Sequence, residues 1–123
     1  MRLLVAALLA CLAGCMTVQG YDGERRSADE VARISGDYRI TAGAPVTVTL
    51  RQVDGRKLGV GEHAAEVLPG VHRLLVDCRI AETGSVSRHF IDADVYAGRR
   101  YRLVGETSPG LRECTAVHVQ AVD

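Results

Sequence analysis

Cysteine is the residue type in this chain that can take the most chemical roles. It occurs four times, at Cys11, Cys15, Cys78 and Cys114. A thiol can act as a nucleophile, bind a metal or pair in a disulfide, and its spacing from other cysteines helps to decide between these roles. No pair has the C-x-x-C spacing, which disfavours a thiol-exchange enzyme. The first two cysteines adjoin an apolar N-terminal stretch and the other two lie far along the chain, so the two pairs need separate interpretations.

The N-terminus has the layout of a secretion signal. Arg2 supplies a positive charge, residues 3–12 form an unbroken apolar run, and small residues surround Gly14. This order matches the charged, apolar and small-residue regions of a signal peptide. A helix that stayed in the membrane would need about 20 consecutive apolar residues. The segment is therefore predicted to be a cleaved signal rather than a transmembrane helix.

The end of this segment, Leu12-Ala13-Gly14-Cys15, resembles the cleavage and lipidation pattern of bacterial lipoproteins. The resemblance implies that Cys15 becomes the new N-terminus, carries a thioether-linked diacylglycerol and usually gains a third, amide-linked chain. Cys11 fits the same short pattern, but it would leave an apolar region of only about five residues, below the usual length. Two acyl chains give stable membrane attachment. Met16 stands where an Asp would signal retention in the inner membrane, which implies an outer-membrane anchor, with the domain facing the periplasm.

With Cys15 assigned to lipid, Cys78 and Cys114 remain. In an exported domain, two such thiols are expected to form one disulfide, which stabilises the fold by about 4 kcal/mol for a loop of this length. The alternative is a pair of inert buried thiols. Cys114 is in phase with the polar positions of its strand, so the disulfide requires a bulge near Glu113 or a loop position for Cys114.

The length of the chain behind the signal indicates one domain, and its charge is nearly balanced. Lys+Arg and Asp+Glu are equal in number, 15 each, so no nucleic-acid partner is expected. The pairs Arg25-Arg26 and Arg99-Arg100 are interpreted as solvated surface. The chain is predicted to comprise a lipoprotein signal peptide (1–14), a lipidated N-terminus and tether (15–36) and a β-sandwich domain (37–123).

Residue periodicity predicts an all-β fold, namely a small antiparallel β-sandwich or barrel of about six to eight strands. In the tether, the Ser27 and Glu30 pattern of a capping box predicts one short helix. From Asp37 onward the apolar residues alternate with polar ones, and Asp54-Gly55 and Pro69-Gly70 mark turns. Strands are predicted through 46–53, 57–60 or 62–68, 71–81, 87–96, 101–104 and 111–122.

Residues that could catalyse a reaction or bind a metal are dispersed. His63, His72, His89 and His118 share no ligand spacing, and strand-borne histidines are usually half-exposed polar residues. Asp92 and Asp94 share a strand face about 7 Å apart. They could form a weak cation site, but a solvated polar face is the favoured interpretation. No catalytic residue, metal site or cofactor is predicted, and the protein is not expected to be an enzyme.

Short segments, among them Tyr21-x-Gly23-x-x-Arg26, Glu30-Val31-Ala32 and Leu68-Pro69-Gly70-Val71-His72, resemble a recurring set of small proteobacterial lipoproteins. The Pro-Gly-x-His turn also resembles PEGA-type surface domains, which are small β modules. The resemblance implies an envelope-attached β-sandwich and transfers no catalytic residue. We expect a non-catalytic structural or interaction module with an envelope protein partner. The alternative is a periplasmic inhibitor, for example of a cell-wall hydrolase, or a small-ligand binder. An inhibitor would need a projecting loop whose side chain fills an active site, and residues 57–63 are the candidate.

Overall fold

A computed structural model describes residues 17–41, 44–110 and 112–122. The predictions for the signal peptide, for lipidation of Cys15 and for its rival Cys11 lie outside the described residues. Within the described part the protein is all-β and contains no helix, which confirms the predicted class.

The described residues form ten strands, more than the six to eight predicted from the alternating runs. The additional strands are short ones, of two to five residues. The strands are β1 (Thr17–Gln19), β2 (Ala32–Ser35), β3 (Asp37–Thr41), β4 (Ala44–Val53), β5 (Arg56–Lys57), β6 (Ala64–Val67), β7 (Gly70–Ile80), β8 (Ser85–Val95), β9 (Arg100–Thr107) and β10 (Cys114–Val122).

The strands form two five-stranded sheets. The first sheet has the order β1-β6-β2-β9-β10, and the second has the order β3-β4-β7-β8 with β5 paired to one end of β4. The second sheet is antiparallel throughout, whereas β1 pairs with β6 and β2 with β9 in parallel. In the described part the sheets remain separate, so the sandwich forms rather than the barrel.

Alternating side chains from both sheets fill the core between them. In β7 the inward positions are Leu74, Val76, Cys78 and Ile80, the apolar face that the alternation predicts, and all four are buried. The first sheet contributes Ile34 and Leu103 to the same cluster. β-Branched and aliphatic side chains suit this pleated, half-buried surface. No charged or polar side chain is fully buried among the described residues.

The helix predicted for the tether is wrong. Ser27 Oγ does bond to Glu30 Oε1 (3.0 Å), and the Glu30 amide donates to the Ser27 carbonyl (3.0 Å), but these contacts close a single turn. The chain then enters β2, where Ala32 and Ile34 are buried and Arg33 is exposed. A helix of one or two turns is marginal in water, and the buried strand pairing replaces it.

Residues 17–36, within the range interpreted as a tether, contribute β1 and β2 to the first sheet. The chain crosses to the second sheet at Gly36, between β2 and β3. A Cβ added there would collide with the Val48 carbonyl oxygen, so the backbone approach at this crossing requires glycine. Thr17, two residues after Cys15, is the first described residue of the first sheet.

Candidate functional site

The predicted disulfide is present and joins the two sheets. Cys78 on β7 and Cys114 at the start of β10 are bonded, with a Cα–Cα distance of 6.1 Å. Both residues are buried in the core. The loop it closes contains β8 and β9 entirely, one from each sheet. The bond is therefore a covalent link across the sandwich core.

A bulge in β10 gives Cys114 its inward orientation. Cys114 pairs with Thr107 on β9, and Ala116 pairs with the adjacent Glu106. Thr115 therefore has no register partner on β9. An extra residue on one strand reverses the phase of the side chains beyond it. Cys114 and Val117 can therefore both point into the core. The expected bulge exists, slightly beyond Glu113.

Asp54 fastens the β4–β5 turn to β7. Its backbone occupies the left-handed region (φ 50°), its amide donates to the Arg73 carbonyl (2.8 Å), and its Oδ1 accepts the Arg73 amide (2.9 Å). Oδ2 lies 2.5 Å from His72 Nδ1, while the other ring nitrogen of His72 lies 2.6 Å from the Leu68 carbonyl. Partial burial raises the pKa of Asp54, but the hydrogen bonds from His72 and Arg73 outweigh it, and the net pKa is lowered.

Replacing Asp54 should lower the free energy of unfolding at neutral pH and have a smaller effect in acid. Because the folded pKa lies below the ordinary 3.8, the carboxylate contributes stability that is present above pH 3.8 and lost as pH falls through the lowered folded pKa. Asp54→Ala should lower the free energy of unfolding by about 1 kcal/mol at neutral pH, by loss of these hydrogen bonds. Urea unfolding from pH 2 to 7 measures this.

Asp54→Asn is the matched control, because asparagine tolerates the left-handed backbone and keeps an acceptor for the Arg73 amide. It removes the negative charge, and its amide nitrogen replaces the carboxylate oxygen that faces His72 Nδ1. The stability difference between wild type and Asp54→Asn should therefore shrink as pH falls below 3.8 and the Asp54 carboxylate of the folded chain becomes protonated. A difference that stays constant across this range would contradict a stabilising role for the ionised carboxylate.

The remaining titratable side chains do not converge. His63 lines a cleft between the sheets, His89 Nε2 lies 3.0 Å from Ser87 Oγ, and His118 Nδ1 lies 3.4 Å from Glu106. Asp92 and Asp94 are exposed on β8, where their register partners are Arg73 and Val71. Across residues 17–41, 44–110 and 112–122, no group of three or more His, Cys, Asp or Glu could hold a metal ion. These residues also contain no helix that is long and apolar enough to cross a membrane.

A cleft of about 400 Å³ opens where the first sheet passes into the second. Arg33, Asp37, Tyr38 and His63 lie on its walls. Asp37 accepts a hydrogen bond from Arg39 Nε at 2.7 Å and lies 3.7 Å from Arg102 Nε. The Arg102 Nε atom is buried and has no hydrogen-bond partner in the described part of the chain. The Asp37 carboxylate thus faces the guanidinium groups of Arg39 and Arg102, and the Nε–H of Arg102 lacks a hydrogen-bond acceptor.

Strand β8 provides an exposed edge on the opposite side of the molecule. It is eleven residues long, and among the described strands it pairs through its backbone with β7 alone, while Ser87 Oγ near its start donates to the Cys114 carbonyl of β10 at 3.3 Å. Phe90, the single phenylalanine of the chain, is 60% exposed on the outer face, with the Arg73 guanidinium 5.0 Å from its ring centroid. An unpaired strand edge beside an exposed aromatic ring is the kind of surface that binds another chain by strand addition.

The loop between β5 and β6 also projects from the domain. Val60 at its tip is fully exposed, and Glu62 Oε1 accepts a hydrogen bond from the Gly59 amide across the base of the turn. Leu58 packs against the core at the near end of the loop. The loop from Lys57 to His63 therefore presents an apolar tip on an anchored base.

Sequence reasoning did not single out Phe90, Arg33 or Arg102. The alternation of β8 did carry a signal for Phe90, because this residue is in phase with Arg88, Asp92 and Asp94 rather than with buried Ala93 and Val95. No comparable signal exists for the arginines. Arg33 and Arg100 become neighbours only through the parallel pairing of β2 with β9.

No protein family model matches the chain, and neither a curated protein nor a solved structure shows significant similarity to it.

Proposed function

We propose that this chain is a lipid-anchored interaction module of the bacterial cell envelope, without catalytic activity of its own. Cys15 is its lipidated N-terminus, and the domain faces the periplasm from the outer membrane. The N-terminal pattern from Leu12 to Cys15 supports the anchor. The unpaired edge of β8 with exposed Phe90 carries the interaction proposal, because it offers backbone hydrogen bonds and an aromatic anchor together.

The anchor is tested by membrane extraction and mass analysis. In cells, the wild-type chain should fractionate with membranes and begin at a diacylated Cys15. Cys15→Ala should leave the membrane fraction, because the acyl chains supply the attachment. Cys11→Ala is the matched control and should remain lipidated. Retention of the Cys15→Ala chain would contradict the anchor assignment and point to Cys11 or to an uncleaved signal.

The partner surface is tested by crosslinking in intact cells. Phe90→Ala should reduce recovery of the crosslinked envelope partner about tenfold or more, since exposed aromatic anchors contribute strongly to interfaces. Phe90 is not part of the core, so this variant should fold normally. Thermal unfolding of the purified chain checks that point. Normal partner recovery with Phe90→Ala would contradict the proposal for β8.

A periplasmic inhibitor is the second candidate, and the fully exposed Val60 favours it. An inhibitor must insert a projecting side chain into the active site of its target, and Val60 stands at the tip of such a loop. Val60→Ala serves as the comparison for Phe90→Ala in the same crosslinking experiment. Loss of a hydrolase partner with Val60→Ala alone would favour inhibition. Recovery of no partner at all would contradict both functions.

A further inference from the structure

Three arginines surround a shallow groove on the outer face of the first sheet. Arg33 on β2 is the direct register partner of Arg100 on β9, and Arg102 follows two residues later on the same face. The groove has a volume of about 160 Å³ and is completed by Ser35, Tyr101 and Val122. We name it the arginine groove. Among the described residues its lining contains no carboxylate, and Glu66, the register partner of Arg33 on its other side, is paired with Arg25.

The positive charge of the arginine groove is poorly compensated. Neighbouring strands lie about 4.8 Å apart, so Arg33 and Arg100 start from adjacent backbone positions and repel each other. Neither forms an ion pair with any described residue, and Arg33 instead donates to Thr17 Oγ1 at 3.3 Å. Arg102 shares Asp37 with Arg39 and keeps a buried, unpartnered Nε. An anion in the groove would relieve this repulsion.

Phosphate is the anion whose geometry suits these side chains best. A guanidinium group presents parallel N–H donors that match the oxygens of a phosphate group. The Ser35 hydroxyl lies beside the arginines and donates to the Tyr101 carbonyl at 3.4 Å, so it would have to rotate away from that carbonyl to donate to a phosphate oxygen. Because the groove is shallow and open on the face of a sheet, it can receive a phosphate group that is attached to a larger surface.

The groove lies beside Thr17, the first described residue after Cys15. Across the first sheet, Thr17 pairs with Ala64, Ala64 with Ser35, and Ser35 with Arg102. Two strand spacings, about 10 Å, therefore separate Thr17 from Ser35. Cys15 is two residues from Thr17, at most about 7 Å of chain. A lipid attached at Cys15 would hold the arginine groove at the level of the phospholipid headgroups.

We propose that the arginine groove binds the phosphate groups of anionic phospholipids in the membrane that holds Cys15. This contact sets the orientation of the domain, with the first sheet on the membrane and Phe90 on the side that faces away. The inference rests on the proposed lipid anchor. The acyl chains supply the attachment, and the arginines select the face that is presented to the membrane.

The test follows amide signals of the isotope-labelled mature chain, residues 15–123 with Cys15→Ser and an intact disulfide. This chain contains all ten strands. Dihexanoyl phosphatidylglycerol, added below its critical micelle concentration, should shift the backbone amide NMR signals of Arg33, Ser35, Arg100 and Arg102. Dihexanoyl phosphatidylcholine, which has no net charge, should bind at least fivefold more weakly. Shifts concentrated on β8, or absent from the arginine groove, would overturn the proposal.

Three variants sharpen the result. Arg33→Gln and Arg100→Gln should each weaken phosphatidylglycerol binding about tenfold, the loss expected for one charge-assisted hydrogen bond. Arg79→Gln is the matched control, because Arg79 is exposed on the outer face of the second sheet, and it should bind as wild type does. The amide spectrum of each variant also reports whether it is folded. Equal losses in all three variants would indicate a net-charge effect and overturn the assignment to the groove.

Inorganic phosphate is the competing ligand. If it shifts the same amides with the same affinity as phosphatidylglycerol, the groove is a free-phosphate site and the lipid proposal fails. The experiment does not use the acyl chains of Cys15. Its failure therefore leaves the anchor assignment intact, while failure of lipidation in cells would be detected separately by the mass of the mature chain.

Discussion

Replacing Cys78 and Cys114 together by alanine is expected to lower the free energy of unfolding by about 4 kcal/mol. The two residues are 36 positions apart, and the bond removes the entropy of that loop from the unfolded chain. A domain of this size has about 5 to 15 kcal/mol in total. The thermal midpoint should fall by roughly 15 °C or more. Calorimetry of the oxidised wild type and the double variant measures both quantities.

Reduction of the wild type provides the control for the disulfide prediction. Dithiothreitol breaks the same bond while keeping both side chains, so its effect should be close to that of the double variant. A larger loss in the double variant would report the space left by the two sulfur atoms in the core, since both residues are buried. A midpoint that is unchanged by reduction and by substitution would contradict a stabilising role for the link between the sheets.

The long strands could be predicted from the sequence because their signals are local. In β7 and β8 a period of two separates buried from exposed positions, and Asp54-Gly55 marks the turn after β4. The short strands β1 and β2 could not be predicted in this way. Three or four residues show too little periodicity, and β1 acquires its partner β6 only through a distant parallel pairing. The capping pattern at Ser27 then favoured the wrong local structure.

The candidate sites likewise differ in whether they depend on local sequence or on the pairing of distant strands. The disulfide could be predicted from the expected compartment and from the two cysteines left after the anchor is assigned. Cys114 is out of phase with the apolar positions of its strand, and this local mismatch correctly predicted a bulge. The arginine groove depends on register between β2 and β9. Arg99-Arg100 reads as ordinary solvated charge until Arg33 is placed beside Arg100. Sites assembled across strands in this way require the topology.

The two outer faces of the sandwich differ in chemistry, which bears on how the molecule would sit in the envelope. The first sheet carries the arginine groove and contains Thr17, two residues from the proposed anchor at Cys15. The second sheet carries Phe90 at its free edge. A domain held by its first sheet would leave β8 available to a partner in the periplasm. The disulfide between the sheets would keep these two faces in a fixed relation.

Gly105 on β9 lies directly beside this disulfide, and its lack of a side chain is a packing requirement. A Cβ added at Gly105 would lie 2.8 Å from Cys78 Sγ, 3.2 Å from Val48 Cγ2 and 3.9 Å from Cys114 Sγ. Its backbone φ is outside the positive range, so alanine is acceptable to the backbone. Gly105→Ala should therefore destabilise the wild type by about 1 to 3 kcal/mol, the usual cost of overpacking a core.

The same substitution should behave differently when the sulfur atoms are absent. In the Cys78→Ala/Cys114→Ala background the nearest obstacle to the new methyl group is gone, and alanine restricts the unfolded chain more than glycine does, by about 0.4 to 1 kcal/mol. Gly105→Ala should then be neutral or stabilising. Urea unfolding of the four proteins forms a double-mutant cycle, with an expected coupling of about 2 kcal/mol. An equal cost in both backgrounds would show that Val48, rather than the disulfide, excludes a side chain at this position.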